Sequence, residues 1–160
     1  MCEKYAQLSF SQAVAKYSDE ITKICILKLR NFEDAKDCFQ NVFLKLHLTD
    51  VVFKDENHLK AWLIRVTLNE CNDFNRSVWK RKVSLDSSPE VYRQFTDDFQ
   101  CIETIELIRS LPQKYRDIVY LHYCEEYTTS EISKILKLNV NTVKSRLLRA
   151  RNMLATIALQ

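Results

Sequence analysis

The chain of 160 residues contains no glycine and only two prolines, Pro89 and Pro112. Without glycine it cannot form, in their usual form, the phosphate loop of a nucleotide-binding protein, the Gly-x-Ser-x-Gly elbow of a hydrolase or an EF-hand loop. Two-residue hairpins also lose their favoured Asn-Gly turn. The absence therefore favours helices joined by short turns, with asparagine at the left-handed positions.

Long apolar runs and metal-ligand spacings are missing as well. No stretch approaches the roughly 18 apolar residues of a membrane span, and the N-terminus lacks a signal-peptide core, so we expect a cytoplasmic protein without direct membrane insertion. No Cys-x-x-Cys pair occurs and the histidines are scattered, which predicts neither a metal site nor a cofactor. Cys38 and Cys71 are predicted to be small buried hydrophobes; a disulfide framework is the unsupported alternative. With no paired carboxylates and no activated nucleophile, no catalytic residue is predicted and the chain is not expected to be an enzyme.

The net charge of +3 conceals a strong segregation of charge along the chain. Residues 60–82 hold six Lys/Arg against two acids, residues 83–106 hold one against six, and residues 131–160 hold six against one. Two basic blocks, each at the end of a helical segment, suggest two contacts with one polyanion. Solvated helix faces are the alternative interpretation.

Turn signals divide the chain into helical segments. Helices are predicted at 9–30 (broken near Ser18), 33–48, 58–80, from about 101, at 113–125, from Thr128, and at 140–157. Thr128 and Glu131 match a capping box, and residues 83–90 carry the clearest linker signal. The pattern predicts an all-α protein with two small helical domains, 1–82 and 101–160, joined by a flexible acidic linker at 83–100.

The third helical segment carries a polar stripe opposite an ordinary core face. At about 100° per residue the stripe is about 80° wide, and it consists of Trp62, Arg65, Asn69, Asp73, Arg76 and Lys80. Cations neutralise phosphates, an exposed Trp can stack on an unpaired base, and an amide can contact a base edge. This stripe and the Lys-Arg-Lys run at 80–82 predict a nucleic-acid-binding face. A snorkelling Trp62 among solvated charges is the alternative.

Residues 130–144 match a helix-turn-helix pattern, with Asn139 expected to take the left-handed turn position. The outer face of the second helix holds short polar residues and then arginines: Asn141, Thr142, Ser145, Arg146, Arg149 and Asn152. The N-terminal part of such a helix enters the major groove, so these residues suit base edges and phosphates. A basic amphipathic helix in an αα-hairpin is the alternative.

The segment 34–47 has a surface of another kind. Its inward face is apolar and holds Ala35, Phe39, Val42, Phe43 and Leu46. Its outer stripe holds Asp37, Gln40, Asn41 and Leu44. By itself this stripe favours a solvated helix face, and the exposed leucine among acceptors and amides makes a protein partner the alternative.

Four runs of sequence resemble bacterial extracytoplasmic-function sigma factors in order and spacing. They are DAKDCFQNVFLKL at 34–46, AWLIRVTLNECNDFNR at 61–76, and LPQKYR at 111–116 with TVKSRLLRAR at 142–151. The resemblance covers nearly the whole chain. It implies a sigma factor that directs promoter-specific initiation, with core RNA polymerase, promoter DNA and an anti-sigma protein as partners. It also implies a monomer, or a heterodimer with that anti-sigma protein.

The resemblance also implies residue roles. A domain similar to sigma domain two would bind the clamp helices of core polymerase through Asp37, Gln40, Asn41, Phe43 and Leu44. The same domain would melt and hold the −10 element through Phe53, Lys54, Trp62, Arg65, Asn69, Asp73, Arg76, Lys80 and Arg81. A domain similar to sigma domain four would read the −35 element through Asn141, Thr142, Lys144, Ser145, Arg146, Arg149 and Arg151. The linker at 83–100 would follow a strand-mimicking path through the polymerase.

The chain departs from the family pattern at a few positions. Asn41 stands where Glu is common, Asn141 where Gly is common, and Ser133 where Ala is frequent, and the loop 48–58 lacks the usual glycine. The alternative function is a sigma-like adaptor or decoy that binds polymerase or an anti-sigma protein without productive DNA reading. The basic residues on both DNA faces disfavour it. A stand-alone repressor would need a dimerisation element, and none is visible.

Overall fold

The computed structural model of the chain describes residues 4–29, 31–81 and 99–159, and the side chains of 78–81 and 99–102 are not described. Helices joined by turns and short irregular segments, with two isolated backbone bridges at Tyr5, make up the described residues, which confirms the predicted all-α class. The chain divides into two compact units, Met1–Tyr92 and Arg93–Gln160. This division falls inside the predicted linker, of which 83–98 lie outside the described residues.

Three helices build the first unit. They are α1 (Phe10–Lys28), α2 (Phe32–Leu48) and α3 (Glu56–Arg81). Each begins where a polar side chain accepts a hydrogen bond from a free backbone N–H of the first turn. Ser9 and Gln12 form a capping box on α1, Asn31 accepts from the Glu33 N–H on α2, and Asp55 Oδ1 accepts from the His58 N–H on α3 at 2.7 Å. Sequence-local capping therefore fixes all three helix starts.

The predicted break in the first helix near Ser18 is wrong. Helix α1 runs without interruption from Phe10 to Lys28. The Ser18 hydroxyl donates to the Ala15 carbonyl at 3.4 Å, and the Thr22 hydroxyl donates to the Ser18 carbonyl at 2.7 Å. Both polar groups therefore find partners inside the helix, and burial of Tyr17 and Ile21 on its inner face holds the segment helical.

The core of the first unit lies where the three helices meet. Cys25, Cys38 and Cys71 are all buried free thiols there, one from each helix, which confirms the prediction for Cys38 and Cys71. Hydrogen bonding among these thiols and burial raise the pKa of Cys38 and of Cys71 above the ordinary thiol range. Cys38 and Cys71 therefore stay protonated, and all three side chains act as small apolar filling.

The second unit consists of short helices around a separate core. They are α4 (Phe99–Arg109), α5 (Gln113–Val119), α6 (Thr129–Leu136) and α7 (Val140–Ala158). The helix predicted at 113–125 changes at Tyr120 into a π-helical turn, Tyr120–Cys124, whose last bond runs from the Glu125 N–H to the Tyr120 carbonyl at 3.2 Å. The predicted capping box is confirmed, since Thr128 and Glu131 bond reciprocally at the start of α6.

The left-handed positions are not occupied by asparagine. Among the described residues, positive φ occurs at Ala6, Gln7, Glu126 and Lys137. Asn139, which was predicted to take the left-handed turn position, is instead the N-cap of α7 in an extended conformation, with φ −67° and ψ 141°. Its side chain accepts from the Asn141 N–H at 2.8 Å, so capping a long helix decides its conformation.

No helix in the described part of the chain combines the length and hydropathy needed to cross a bilayer.

Candidate nucleic-acid and protein interfaces

The polar stripe predicted on the third helix lies along one side of α3. Trp62 and Arg65 are half-buried, whereas Asn69, Asp73 and Arg76 are exposed. Asp73 pairs with Arg76 at 3.8 Å, but both side chains are more than 70% exposed. An exposed pair of this kind contributes little stability, so Arg76 can exchange its partner for a phosphate at small cost. The side chains of Lys80 and Arg81, and Lys82 entirely, lie outside the described residues.

The loop before Trp62 corrects one prediction. Phe53 is only 2% exposed and belongs to the core, so its side chain is unavailable to DNA. Its ring meets the edges of His58 and Trp62 at centroid distances of 5.2 and 5.4 Å. Lys54, next along the chain, is exposed. Phe53 therefore packs against His58 and Trp62 from the core side, while Lys54 faces solvent.

The outer face of α2 combines apolar and acidic side chains. Asp37, Gln40 and Asn41 are exposed, and Leu44 is 54% exposed although it is a large apolar side chain. Burial and the nearby carboxylates of Asp37 and Glu33 raise the pKa of Asp34 in the first turn. A face with crowded carboxylates and an uncovered leucine suits a protein partner that brings cations and an apolar contact.

Phe43 does not belong to this outer face. It is only 6% exposed and packs on Phe39, with ring centroids 4.8 Å apart. Helical geometry explains the correction, because Phe43 shares the inward face with Val42 and Leu46, both fully buried. The residue supports the outer face from inside and offers a partner little contact area.

The apolar part of this face extends beyond the residues predicted from sequence. Leu48 is 68% exposed, and Val51 and Val52 follow it as exposed apolar residues. Leu48 could have been found, because it lies one helical turn after Leu44 and therefore on the same side of α2. The two valines follow the end of the helix, where periodicity gives no signal.

The exposed side of α7 carries most of the residues predicted to read duplex DNA. Asn141, Lys144, Ser145 and Arg149 are exposed, while Thr142 and Arg146 are half-buried. Val143, Leu147 and Ala150 are buried on the opposite side and fix the rotation of the helix. The Ser145 hydroxyl donates to the Thr142 carbonyl at 3.0 Å within the helix, and that hydroxyl keeps its acceptor capacity.

Arg151 lies on a different side of α7 from Arg149. It stands two positions later, which at about 100° per residue places the two side chains about 160° apart around the helix. Its Nε donates to the Tyr123 hydroxyl, and its guanidinium lies 5.8 Å from the centroid of the Tyr123 ring. Arg151 therefore joins α7 to the π-helical turn, and its role at the −35 element stays a prediction.

The turn between α6 and α7 sets the position of the α7 face. Lys137 follows α6 with φ 54° and ψ 45°. The N–H of Lys137 and that of Leu138, the latter at 3.0 Å, both donate to the Ser133 carbonyl. This arrangement closes the end of α6 and lets Asn139 begin α7 two residues later. In the described residues, no group of three or more His, Cys, Asp or Glu side chains could hold a metal ion.

Comparison with known proteins decides the family. The family model described as Sigma-70 region 2 matches residues 13–81, and the one described as Sigma-70, region 4 matches residues 102–154. The chain is 30% identical over 171 aligned positions to the ECF RNA polymerase sigma factor SigW of Bacillus subtilis, covering 95% of this chain and 90% of that protein. The chain belongs to the extracytoplasmic-function (ECF) sigma factors. It is also 25% identical to the RNA polymerase sigma factor SigV of the same organism, with 88% and 86% covered.

Solved structures agree with the ECF sigma fold. The sigma factor RpoE of Bartonella quintana, solved with the anti-sigma factor NepR, aligns with a TM-score of 0.76 at 21% identity and covers 93% of this chain and 96% of its own. CnrH, solved with the cytosolic domain of CnrY, aligns with a TM-score of 0.68 at 22% identity, covering 93% and 86%. Family membership implies RNA polymerase binding and promoter-specific initiation, a regulatory activity rather than an enzymatic one.

Proposed function

We propose that this ECF sigma factor uses three separate surfaces in initiation. The outer face of α2 binds core RNA polymerase, the α3 stripe melts and holds the −10 element, and the exposed side of α7 reads the −35 element as duplex. The observation that carries this proposal is the difference in chemistry between the α2 face and the α3 stripe of the first unit. Its α2 face is apolar and acidic, whereas its α3 stripe presents Trp62, Asn69 and Arg76 among cations.

The chemistry of each surface supports its assigned partner. Exposed arginines release condensed counterions when they neutralise phosphates, which gives sequence-independent affinity. A half-buried indole stacks on an unpaired base for about 1–3 kcal/mol, so Trp62 favours a melted strand over a duplex. Short polar side chains at the start of α7 reach base edges in a major groove, and Arg149 about two turns later reaches a guanine or a phosphate.

An anti-sigma protein is the further partner in this proposal. The sigma factor RpoE was solved with the anti-sigma factor NepR, and the exposed apolar residues Leu44, Leu48 and Val52 offer such a protein a surface here. Since the same residues serve polymerase, an inhibitor that covers them would compete directly with the polymerase.

The domains that carry these surfaces in the proposal are residues 1–82, which bind polymerase and the −10 element, and residues 101–160, which bind the −35 element. The linker at 83–100 spans the polymerase between them.

Run-off transcription with core polymerase tests the proposed function. Core enzyme and full chain are incubated with a library of random promoter fragments, and the transcribed fragments are recovered and sequenced. We expect recovered fragments to share two elements, and neither protein alone should open them. A chain that binds core polymerase and yields no transcript would be an adaptor or decoy, and the proposal would fail.

Trp62→Ala tests the −10 assignment on a recovered promoter. We expect permanganate reactivity of the melted region to fall more than closed-complex affinity does, because the indole contacts a base only after melting. The matched control is Phe74→Ala, which removes a half-buried aromatic ring from the same helix outside the polar stripe. Equal losses in opening and in closed-complex binding would show that Trp62 is merely structural.

Arg149→Ala tests the −35 assignment, and Arg151→Ala on the other side of α7 is its control. The first change should weaken binding to the upstream element by about 1–3 kcal/mol. The second should have a smaller effect, because the guanidinium of Arg151 lies on Tyr123. An unchanged upstream footprint for Arg149→Ala would remove that residue from DNA recognition.

A further inference from the structure

The loop before Trp62 is held at two backbone positions. The Phe53 N–H donates to the Lys4 carbonyl at 3.0 Å, which ties the loop to the N-terminal segment. The Lys54 N–H donates to Nδ1 of His58 at 3.2 Å. The first bond joins residues far apart in sequence, whereas the second closes the loop onto the first turn of α3. Together they fix the backbone on both sides of the Phe53–Lys54 peptide.

His58 takes part in a reciprocal arrangement at the start of α3. Its own N–H donates to Asp55 Oδ1 at 2.7 Å, while its ring accepts from the Lys54 N–H. A capping box has the same logic, since the third helical residue bonds back to the backbone ahead of the helix. Here the acceptor is an imidazole nitrogen, so Nδ1 must carry no proton for the bond to form.

The ring of His58 also lies beside residues proposed to contact the −10 element. It meets the buried ring of Phe53 edge-on at 5.2 Å, and Trp62, one turn later on α3, meets the same ring at 5.4 Å. Lys54 is exposed, and its backbone is the group that His58 holds. The His58 side chain therefore contacts both the backbone of Lys54 and the Phe53 ring that packs against Trp62.

We propose that His58 is a positioning residue for the −10 element. It holds the Lys54 backbone and the loop beneath Trp62 in the conformation that receives a melted base. The proposal rests on the proposed function of the α3 stripe. His58 does not contact DNA in this mechanism; it acts through Lys54 and Phe53.

Two substitutions separate the hydrogen bond from the ring. His58→Asn places an oxygen where Nδ1 stands, one bond beyond Cγ, and retains the acceptor without the ring. His58→Phe retains an aromatic ring against Phe53 and removes the acceptor. Because the Lys54 N–H lies at an exposed site, solvent can satisfy it in the Phe variant, so the fold is expected to persist. His58→Leu serves as a second acceptor-free variant.

The test uses full-length chain with core polymerase and a promoter that the wild-type holoenzyme transcribes. The probes are a single-stranded oligonucleotide with its −10 element, carrying 2-aminopurine, and a duplex with its −35 element. We expect His58→Phe and His58→Leu to weaken single-strand binding by about three- to tenfold, the range one net hydrogen bond supplies. His58→Asn should stay near wild type, and duplex and polymerase binding should be unchanged in all three.

Several outcomes would overturn the inference. His58→Phe and His58→Leu equal to wild type would show that the bond positions nothing, and His58→Asn as weak as His58→Phe would assign the effect to the ring. A parallel loss of polymerase binding would mean that His58 supports the fold only. If the wild-type holoenzyme itself fails to bind the single strand selectively, the proposed −10 function fails, whatever the His58 variants do.

Discussion

Lys137→Gly should stabilise the second unit. Lys137 lies at the end of α6 with φ 54° and ψ 45°, where a side chain with Cβ crowds the following carbonyl oxygen. Left-handed geometry costs a non-glycine residue about 1–2 kcal/mol. Glycine removes that cost, but it loses more freedom on folding, about 0.5–1 kcal/mol. The net expectation is a gain of up to about 1 kcal/mol, with both hydrogen bonds to the Ser133 carbonyl retained.

Lys134→Gly is the matched control for this prediction. It makes the same chemical change three residues earlier, at an exposed position inside α6. There φ is helical, so glycine brings no relief and costs about 1 kcal/mol. The two variants remove the same charge from the same surface and should differ in unfolding free energy by about 1–2 kcal/mol, with opposite signs relative to wild type.

Hydrogen exchange measured by mass spectrometry on the full chain resolves this difference by region. Peptides from α6 and α7 should exchange up to about fivefold more slowly in Lys137→Gly and about fivefold faster in Lys134→Gly, as a change of about 1 kcal/mol requires. Peptides from α1 to α3 should be unchanged. If Lys137→Gly destabilises α6 as much as Lys134→Gly does, the left-handed backbone is not what limits stability there.

Three further predictions concern the first unit and the thiols. Leu44→Ala should weaken core polymerase binding by about 1–2 kcal/mol in fluorescence anisotropy, while the same change at Leu159, a more exposed leucine in the second unit, should not. Burial and the Glu56 carboxylate raise the pKa of Tyr17 to about 12 from 10.0. The free energy of unfolding should therefore be highest below pH 10 and fall by up to about 1.4 kcal/mol per pH unit toward pH 12. Urea titrations should show that Tyr17→Phe abolishes this decrease. Iodoacetamide should label exposed Cys124 in the native chain and buried Cys38 only after unfolding, as peptide masses will show.

Helix positions and faces were predictable from local sequence because their causes are local. Periodicity assigned the buried side of α7, and the capping box at Thr128 identified the start of α6. The same reasoning failed at Ser18, where a residue with low helix preference stays helical because its inner-face neighbours are buried. Tertiary burial outweighs a propensity difference of a few tenths of a kcal/mol.

The loop residues could not be assigned from sequence for a different reason. Phe53 lies in a segment without periodicity, and its burial depends on a backbone bond to Lys4, 49 positions earlier. The family resemblance assigned Phe53 to DNA binding because it lies in the loop before Trp62. It also assigned Phe43 to polymerase binding, although helical periodicity already placed that side chain on the inward face. A resemblance assigns segments more securely than side-chain directions. The extent of the exposed apolar face past Leu48 also follows from the chain path after α2, which no local pattern reports.

The absence of glycine acquires a structural meaning at the left-handed turns. Each such turn in the described residues is closed by a backbone hydrogen bond: Leu8 to Tyr5 at 3.0 Å across Ala6 and Gln7, Tyr127 to Leu121 at 3.0 Å across Glu126, and Leu138 to Ser133 at 3.0 Å across Lys137. The side-chain type at these positions therefore does not determine the left-handed backbone conformation. Hydrogen bonds and the packing of the flanking elements impose them, at a cost of about 1–2 kcal/mol each. The turns at Glu126 and Lys137 precede α6 and α7, so the strain is retained where it orients α7, the helix proposed to read the −35 element.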